Sequence, residues 1–304
     1  MSNSSHVYEL IIIGAGPAGI TAAIYAARKR MDFIMLTINV GGQVIVSPGI
    51  ENYTGFQYIP GAELTAKFQE HLNRYKFELK MEEVQKVNRE GALFRVRTNV
   101  GNYAGKAIIV VTGRKSKELK VPGEVEFKNR GVSYCATCDG PFFQDLDIAV
   151  VGGGNSALEA VLQLIKIAKS IYLIERGSVL KADTVLVEKA KVSGNVRILT
   201  NAQVVEVFGD RLVTGIKVQR DGSDMLLPVQ GVFVEIGSIP NSDMVDFSAR
   251  NAWGEIIVNC KCETNIPGLF AAGDVTDAPE KQIIIAAGDG CKAAISAFRY
   301  VSQK

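Results

Sequence analysis

Histidine is almost missing from this chain. Only His6 and His71 occur in 304 residues, far apart and with no acid or nucleophile patterned around them. That argues against a histidine base or a histidine metal site, and both rings are expected at the surface. An excess of one charge is missing too. The formal net charge is +2, which argues against a nucleic-acid or anionic-membrane partner. No apolar run reaches the ~18–20 residues that span a bilayer. The stretch from Met1 to His6 has neither the basic nor the apolar part of a secretory signal, so a cytoplasmic protein is expected. Cysteines stand at 135, 138, 260, 262 and 291, an odd count that does not look like a disulfide framework. What is present is apolar bulk. Hydrophobic residues make up 47% and charged residues 22%, at a length that suits about two domains.

Two glycine-rich turns organise that bulk. Tyr8 to Ile13 reads as a strand buried on both faces, and Ile20 to Arg28 as an Ala-rich helix. Between them lies Gly14-x-Gly16-Pro17-Ala18-Gly19. Gly14 makes the tight turn, Gly16 admits a pyrophosphate, and Gly19 lets helix pack on strand. Pro17 suits the first helical turn, and the helix N-terminus offers free N–H groups to phosphate. The next strand, Phe33 to Leu36, ends in Thr37, so the usual ribose acid is missing here. The second turn, Gly152-Gly153-Gly154-Asn155-Ser156-Ala157, follows a strand at Ile148 to Val151 and opens a helix at Leu158 to Lys169. Its partner strand, Ile171 to Ile174, does end in an acid, Glu175, where an adenosine ribose 2′-OH would bond. The unit is thus the more complete dinucleotide fingerprint.

Between these landmarks, Ala62 to Tyr75 reads as an amphipathic helix, and Phe94 to Val100 and Lys106 to Val111 as strands, the second closed by Thr112-Gly113-Arg114. Gly41-Gly42-Gln43 and Gly49 to Tyr53, with Asn52, form polar loops that could be plain surface turns. Pro122-Gly123-Glu124 looks like a linker turn, with a domain boundary near Lys115 to Val121. Arg211 to Val218, Met225 to Pro228 and Gly231 to Ile236 suggest a small antiparallel sheet, and Gly237 to Asn241 the return linker. Gly268 to Val275 is a strand ending in Gly273-Asp274, which offers a carboxylate to a polyol or ribose. In the last helix, Gln282 to Tyr300, Gly288 and Gly290 imply close packing on a ligand or strand.

Just before the second turn stands Cys135-Ala136-Thr137-Cys138-Asp139. Zinc would need Cys260 and Cys262 as further ligands, and C-x-C is poor spacing for it, so no metal is expected. Two inert thiols are the plain alternative. A redox dithiol is favoured, since C-x-x-C allows a small-loop disulfide and lowers one thiol's pKa. Asp139 could carry its proton or merely cap a helix. The motif sits in no thioredoxin-like unit of its own, so it is expected to serve another protein's disulfide. Cys260, Cys262 and Cys291 are read as structural.

In this order, the two glycine turns, Cys135 to Gly140 and Gly273-Asp274 make the chain resemble the low-molecular-weight thioredoxin reductases over essentially its whole length. Cys138 to Phe143, Leu180 to Asp183, Gly231 to Val234 and Lys281 to Ile285 resemble still more closely the C-terminal reductase part of the flavoprotein component of alkyl hydroperoxide reductase. The resemblance implies an α/β chain of two Rossmann-like dinucleotide-binding domains of the three-layer ββα type. An NAD(P)H domain at 117–241, carrying the dithiol, would be inserted in a discontinuous FAD domain at 1–116 and 242–304. It implies a homodimer whose partner is a thioredoxin- or glutaredoxin-like protein. FAD falls to Gly14, Gly16, Pro17, Ala18, Gly19, Gly42, Gln43, Asn52, Thr112, Gly113, Gly273, Asp274, Gln282 and Ile283. NAD(P)H falls to Gly152, Gly154, Asn155, Ser156, Ala157, Glu175, Arg176 and Lys181. Cys138 would face the flavin, Cys135 would attack the partner, and Asp139 would be acid and base. NADPH-using members carry an Arg-rich run where this chain reads Glu175-Arg176-Gly177, with Lys181 later. NADH is therefore the expected donor, since a carboxylate repels a 2′-phosphate. The rival readings are a peroxiredoxin-linked reductase, a peroxide-forming NADH oxidase, and a non-catalytic flavoprotein redox sensor.

Overall fold

The computed structural model describes residues 6–47 and 49–303. Val7–Ala15 (β1) places Leu10 to Ile13 between two faces of packing, each nearly fully buried. Pro17–Arg28 (α1) starts at once, with Gly16 as an N-cap that lends no side chain to the free N–H groups. Phe33–Val40 (β2), Gly61–Leu72 (α2) and Glu78–Met81 (β3) follow. Then Val84–Glu90 (β4), Leu93–Thr98 (β5) and Asn102–Val110 (β6) form an antiparallel meander. β6 is long enough to serve two partners. Its start pairs with β5, and Ala104 to Val110 run parallel to β1.

Arg114–Ser116 (β7) leads into the second unit, with Val132–Ser133 (β8), the short helix Ala136–Asp139 (α3), Asp147–Val151 (β9), Asn155–Leu164 (α4) and Ser170–Ile174 (β10). Thr184–Val192 (α5) and Val196–Leu199 (β11) follow, then Ala202–Gly209 (β12), Val213–Arg220 (β13), Ser223–Leu227 (β14) and Gly231–Val234 (β15). Ser238–Pro240 (β16) returns the chain to Leu269–Ala271 (β17) and Ile283–Ser302 (α6). Packing divides the described chain into two compact units, one of residues 6–47, 53–115 and 239–303, the other mainly Ser116–Ser238. The two crossings between them, β7 and β16, pair with each other as a two-stranded ribbon.

The units repeat one plan. In the first, a parallel sheet runs β3-β2-β1-β6-β17, and the meander β4-β5-β6 grows from it. In the second, the parallel sheet is β11-β10-β9-β15-β8, and β12-β13-β14 is a separate antiparallel sheet.

Here the structure corrects the sequence reading. Gly231 to Val234 is no part of the small antiparallel sheet, which takes Ala202–Gly209 as its first strand instead. β15 is wholly buried and runs parallel between β9 and β8. An unbroken apolar run buried on both faces belongs in the middle of a parallel sheet. The second-unit helix also stops at Leu164, short of Lys169. Asn195 Nδ2 captures the carbonyls of Ile165 and Ala168, so the chain can leave the helix with those acceptors satisfied. Pro122-Gly123-Glu124 is an anchored turn rather than a linker. Glu124 is buried and accepts the N–H groups of Leu119 and Lys120 at 2.7 and 2.6 Å.

In the first unit α1 lies against α6 through small residues, Ala18, Ala22 and Ala26 on one helix and Gly290, Ala293, Ala294 and Ala297 on the other. A Cβ on Gly290 would lie 2.0 Å from the Ala18 carbonyl oxygen, whereas one on the exposed Gly288 meets nothing within 4 Å. The expected packing therefore holds at Gly290, against a helix rather than a strand, and not at Gly288. Gly290→Ala should destabilise the protein by about 1–3 kcal/mol, as overpacking against backbone does. Gly288→Ala should leave stability unchanged or raise it by up to about 1 kcal/mol. Thermal denaturation of the two variants checks the contrast.

Candidate active site

Both glycine turns are built to the same physical plan. Gly14, at φ +112°, would put a Cβ 2.4 Å from the Val111 carbonyl, and Gly152, at φ +139°, one 2.3 Å from the Glu235 carbonyl. No side chain fits either place. A Cβ on Gly16 or Gly154 would instead meet nothing within 4 Å, so the backbone there is open to a ligand. A Cβ on Gly19 would lie 2.1 Å from the Gly14 carbonyl oxygen, and Ala157 is fully buried beside Gly152. These are the three tasks that a pyrophosphate-binding turn asks of its small residues. The cradle fits a dinucleotide in each unit.

The first unit gathers most of its proposed flavin set around this cradle. A Cβ on Gly42 would come 3.3 Å from Gly16 Cα, and one on Gly273 would fall between Ala18 and Ala286. Thr112 Oγ1 donates to the Asn241 carbonyl at 2.6 Å, and Asn241 Nδ2 returns a bond to the Thr112 carbonyl at 3.0 Å. Gly113 bonds the same residue through its carbonyl. Gln43 donates to the Arg114 carbonyl. Gln282 is the N-cap of α6, followed by Ile283. Asn52 is exposed and groups outside this unit. Burial raises the Asp274 carboxyl above the ordinary aspartate range, against the pull of Lys281 and Arg114. Those two cations share a partner that sequence reading missed. Glu255 Oε1 lies 2.7 Å from Arg114 Nη1 and 3.1 Å from Lys281 Nζ. Burial raises the Glu255 carboxyl, but bonds from Asn251, Lys281 and Arg114 outweigh it and hold the group ionised below the usual range.

In the second unit Glu175 is fixed before any ligand arrives. Gly177 N–H donates to its Oε1 at 2.7 Å, and a Cβ on Gly153 would meet its Oε2 at 2.5 Å. Lys181 N–H donates to the Gly153 carbonyl, which brings the loop back to the turn. Arg176 and Lys181 are exposed, as is Ser156. Asn155 is engaged by Asp183 through two reciprocal bonds of 3.1 and 2.8 Å.

Cys135 and Cys138 are joined as a disulfide, Cα to Cα 5.3 Å, on α3 of the same unit. Bonded to each other, they present no thiolate pair to a metal. Cys135 is the N-cap of α3, its sulfur 3.2 Å from the Cys138 N–H. Asp139 closes the helix from inside and is not its cap. Its Oδ2 accepts the Ser133 hydroxyl at 2.6 Å. Burial raises its carboxyl above the usual range, and the Ser133 bond opposes that rise. Asp139 opens onto a cleft of about 140 Å3 walled by Val132, Ser133, Phe142 and Phe143. Tyr134, beside Cys135, donates to Glu124 at 2.9 Å. Cys262 lies apart, where burial pushes its thiol up to about 12, an inert core group. Ser133, Glu124 and Arg114 carried no motif and were not foreseen. Ser133 did leave a local trace, an hydroxyl two residues before a Cys-x-x-Cys-Asp.

The pyridine nucleotide-disulphide oxidoreductase family matches residues 8–290. The chain belongs to this family. Its members bind FAD and NAD(P)H. The chain is similar to thioredoxin reductase from Streptococcus pyogenes MGAS5005, at TM-score 0.94 and 37% identity, covering 99% of this chain and 100% of that one. It is similar also to thioredoxin reductase from Giardia duodenalis, at TM-score 0.91 and 28% identity, covering 98% and 100%. Among curated proteins, the F component of alkyl hydroperoxide reductase in Escherichia coli (strain K12) is 40% identical over 310 residues, 98% of this chain and 59% of that one. A protein named NADH dehydrogenase from Bacillus subtilis (strain 168) is 40% identical over 298 residues, 97% and 58%. The chain thus spans about three fifths of the length of the curated relatives it matches. Among the described residues no helix is long and apolar enough to cross a membrane.

Ser133→Ala removes the one bond that favours the charged Asp139. The carboxyl should then keep its proton to still higher pH, an upward shift that carboxylate infrared or NMR titration will read. An unmoved titration would refute the role given to Ser133.

Proposed function

We propose that the chain is a disulfide reductase that passes two electrons from NADH through FAD to Cys135–Cys138 and on to a thioredoxin- or glutaredoxin-like protein. The observation that carries this reading is the Cys135–Cys138 disulfide, set beside Asp139, whose carboxyl burial raises above the ordinary range, on the unit with the complete nucleotide fingerprint. In this reading residues 1–116 and 242–304 hold FAD and residues 117–241 hold the nicotinamide nucleotide. The cradle at Gly16, with Gly42, Thr112, Gly273 and Asp274 beside it, supports the first assignment; the open Gly154 and the preset Glu175 support the second. When bound, FAD would supply the electron pair, drawn from NADH, that breaks the S–S bond.

The residues then divide the work. Cys138 takes the pair together with one proton and becomes the thiol, which leaves Cys135 as the thiolate. Cys135 attacks a partner disulfide, forms a mixed disulfide and releases the first partner sulfur, which takes a proton from water. Cys138 then gives its proton to Asp139, attacks Cys135 and releases the partner's second sulfur, to which Asp139 passes that proton. The sum converts NADH, one proton and a partner disulfide into NAD+ and a partner dithiol. A buried carboxyl that holds its proton longer than a free aspartate suits that delivery. The relatives named for alkyl hydroperoxide reductase favour one variant, in which the thioredoxin-like carrier serves a peroxiredoxin. A cytoplasmic homodimer completes the proposal.

Glu175 supports NADH as donor. Its carboxylate is anchored where an adenosine ribose would lie, and a 2′-phosphate there meets like charge. The ratio of kcat/KM for NADH over NADPH should be about tenfold or more, and Glu175→Gln should narrow it, since removing one repulsion is worth of the order of 1 kcal/mol. A clear NADPH advantage in the natural protein would end this claim. Cys138→Ser should keep bound FAD, by its visible spectrum, yet lose anaerobic reduction of a disulfide partner by NADH. Retained reduction refutes the dithiol route. If oxygen takes the electrons at an undiminished rate in that variant, while the parent chain reduces no disulfide partner, the protein is a peroxide-forming oxidase instead.

A further inference from the structure

Tyr134 and Glu124 have no part in the steps above, yet they hold the residue that precedes Cys135. Tyr134 is the bend between β8 and the Cys135 cap of α3. Before it, Ser133 is fixed by the parallel pairing of β8 with β15, and its hydroxyl donates to Asp139. The Tyr134 ring packs instead on the core that holds Phe127, Val204 and Val207, with Lys128 Nζ 5.0 Å from the ring centroid. Its hydroxyl donates to Glu124 Oε1 at 2.9 Å. Glu124 is itself a fixed acceptor. It is buried, and the N–H groups of Leu119 and Lys120 engage its two oxygens at 2.7 and 2.6 Å. Its turn is pinned to β12, since Val207 N–H donates to the Pro122 carbonyl at 2.9 Å. A Cβ on Gly123 would lie 1.8 Å from the Val207 carbonyl oxygen. Burial first, then the Glu124 bond, raises the Tyr134 hydroxyl well above the ordinary phenol range, so it stays a donor.

We propose that Tyr134 and Glu124 are positioning residues of the dithiol, a clamp that holds Cys135 where its sulfur meets that of Cys138 and so favours the closed disulfide over the open dithiol. This role rests on the dithiol being the redox centre of the proposed reductase. When the S–S bond breaks, Cys135 gains freedom to turn away, and closure must take that freedom back. An anchor one residue upstream limits the loss, because Tyr134 is already where the closed form needs it. The two sulfurs then meet at a higher effective concentration. In turnover the same restraint favours the attack of Cys138 on Cys135 that frees the partner.

Equilibrium with glutathione reads the clamp directly, with no need for turnover. Two molecules of reduced glutathione give two electrons and two protons to the Cys135–Cys138 disulfide and become one molecule of oxidised glutathione. The whole FAD-loaded protein is equilibrated without oxygen over a series of glutathione ratios and quenched with acid. Free Cys135 and Cys138 are then counted by alkylation and mass spectrometry. Tyr134→Phe keeps the ring and its ammonium neighbour but loses the bond to Glu124. Its equilibrium constant for reduction should be about three- to tenfold that of the natural protein, since part of the bond's net worth reaches the dithiol. Glu124→Gln should shift the constant in the same direction, and the double variant no further than the larger single one, as befits two residues that act through one bond. Should Glu124→Gln fail to fold, Tyr134→Phe carries the test. Tyr172→Phe alters another phenol packed on the same core, one whose oxygen accepts from Arg197 at 3.2 Å, and should leave the constant unchanged. An unchanged or lowered constant in Tyr134→Phe overturns the clamp, as does an equal rise in Tyr172→Phe, which would report a loosened core. If NADH cannot reduce the disulfide at all, the reductase reading fails, while the glutathione equilibrium still decides the role of Tyr134 and Glu124.

Discussion

A glycine pressed against a carbonyl of a neighbouring strand is the contact on which both halves of this protein depend. Gly14 meets Val111 and Gly152 meets Glu235, each so closely that no Cβ fits and each at a φ that other residues rarely adopt. The contact pins the corner between first strand and first helix. It thereby aims the helix N-terminus, leaves the second glycine of each turn open, and lets the third position pack. Five parallel strands and a meander then repeat around each corner.

Much of this was legible in the residues. The two glycine turns have local signatures because each position has a separate steric duty. Glu175 was legible because a strand end at fixed distance from the turn is a consequence of βαβ geometry. Cys135 and Cys138 were legible from their spacing. The order of strands was less so. Gly231 to Val234 follows two strands that form a hairpin, and local spacing suggests a third. Its burial on both faces, a property of the whole sheet, decides otherwise. The supporting charges were hidden for the same reason. Arg114, Glu255 and Lys281 are far apart in sequence and meet only because β7, the loop before β17 and the approach to α6 converge. Ser133 acts through a single hydrogen bond, which leaves no periodicity.

The acids drawn out of water are of two kinds. Glu255 is held by Arg114, Lys281 and Asn251 and stays ionised, a structural anion that holds the approach to α6. Asp139, half-buried beside the disulfide, and Asp274 keep their protons longer. Burial raises all three; direct bonds from the cations outweigh it at Glu255, whereas the charge of the same cations does not at Asp274. A site that must receive protons along with electrons is better served by the second kind.

The pairing of β7 with β16 has a consequence for the order of assembly. β17 must find β6 across the whole second unit, and α6 must then close on α1. Joining ends separated by a free loop of about 120 residues carries an entropy loss that grows with the logarithm of loop length. Once the inner unit has folded, its two exits already lie side by side. The outer sheet then closes across about 30 residues rather than a long coil, a saving of about 1 kcal/mol, or some two doublings of loop length. The ribbon thus favours a sequence of events in which the middle of the chain folds first and the two ends meet on a foundation already laid.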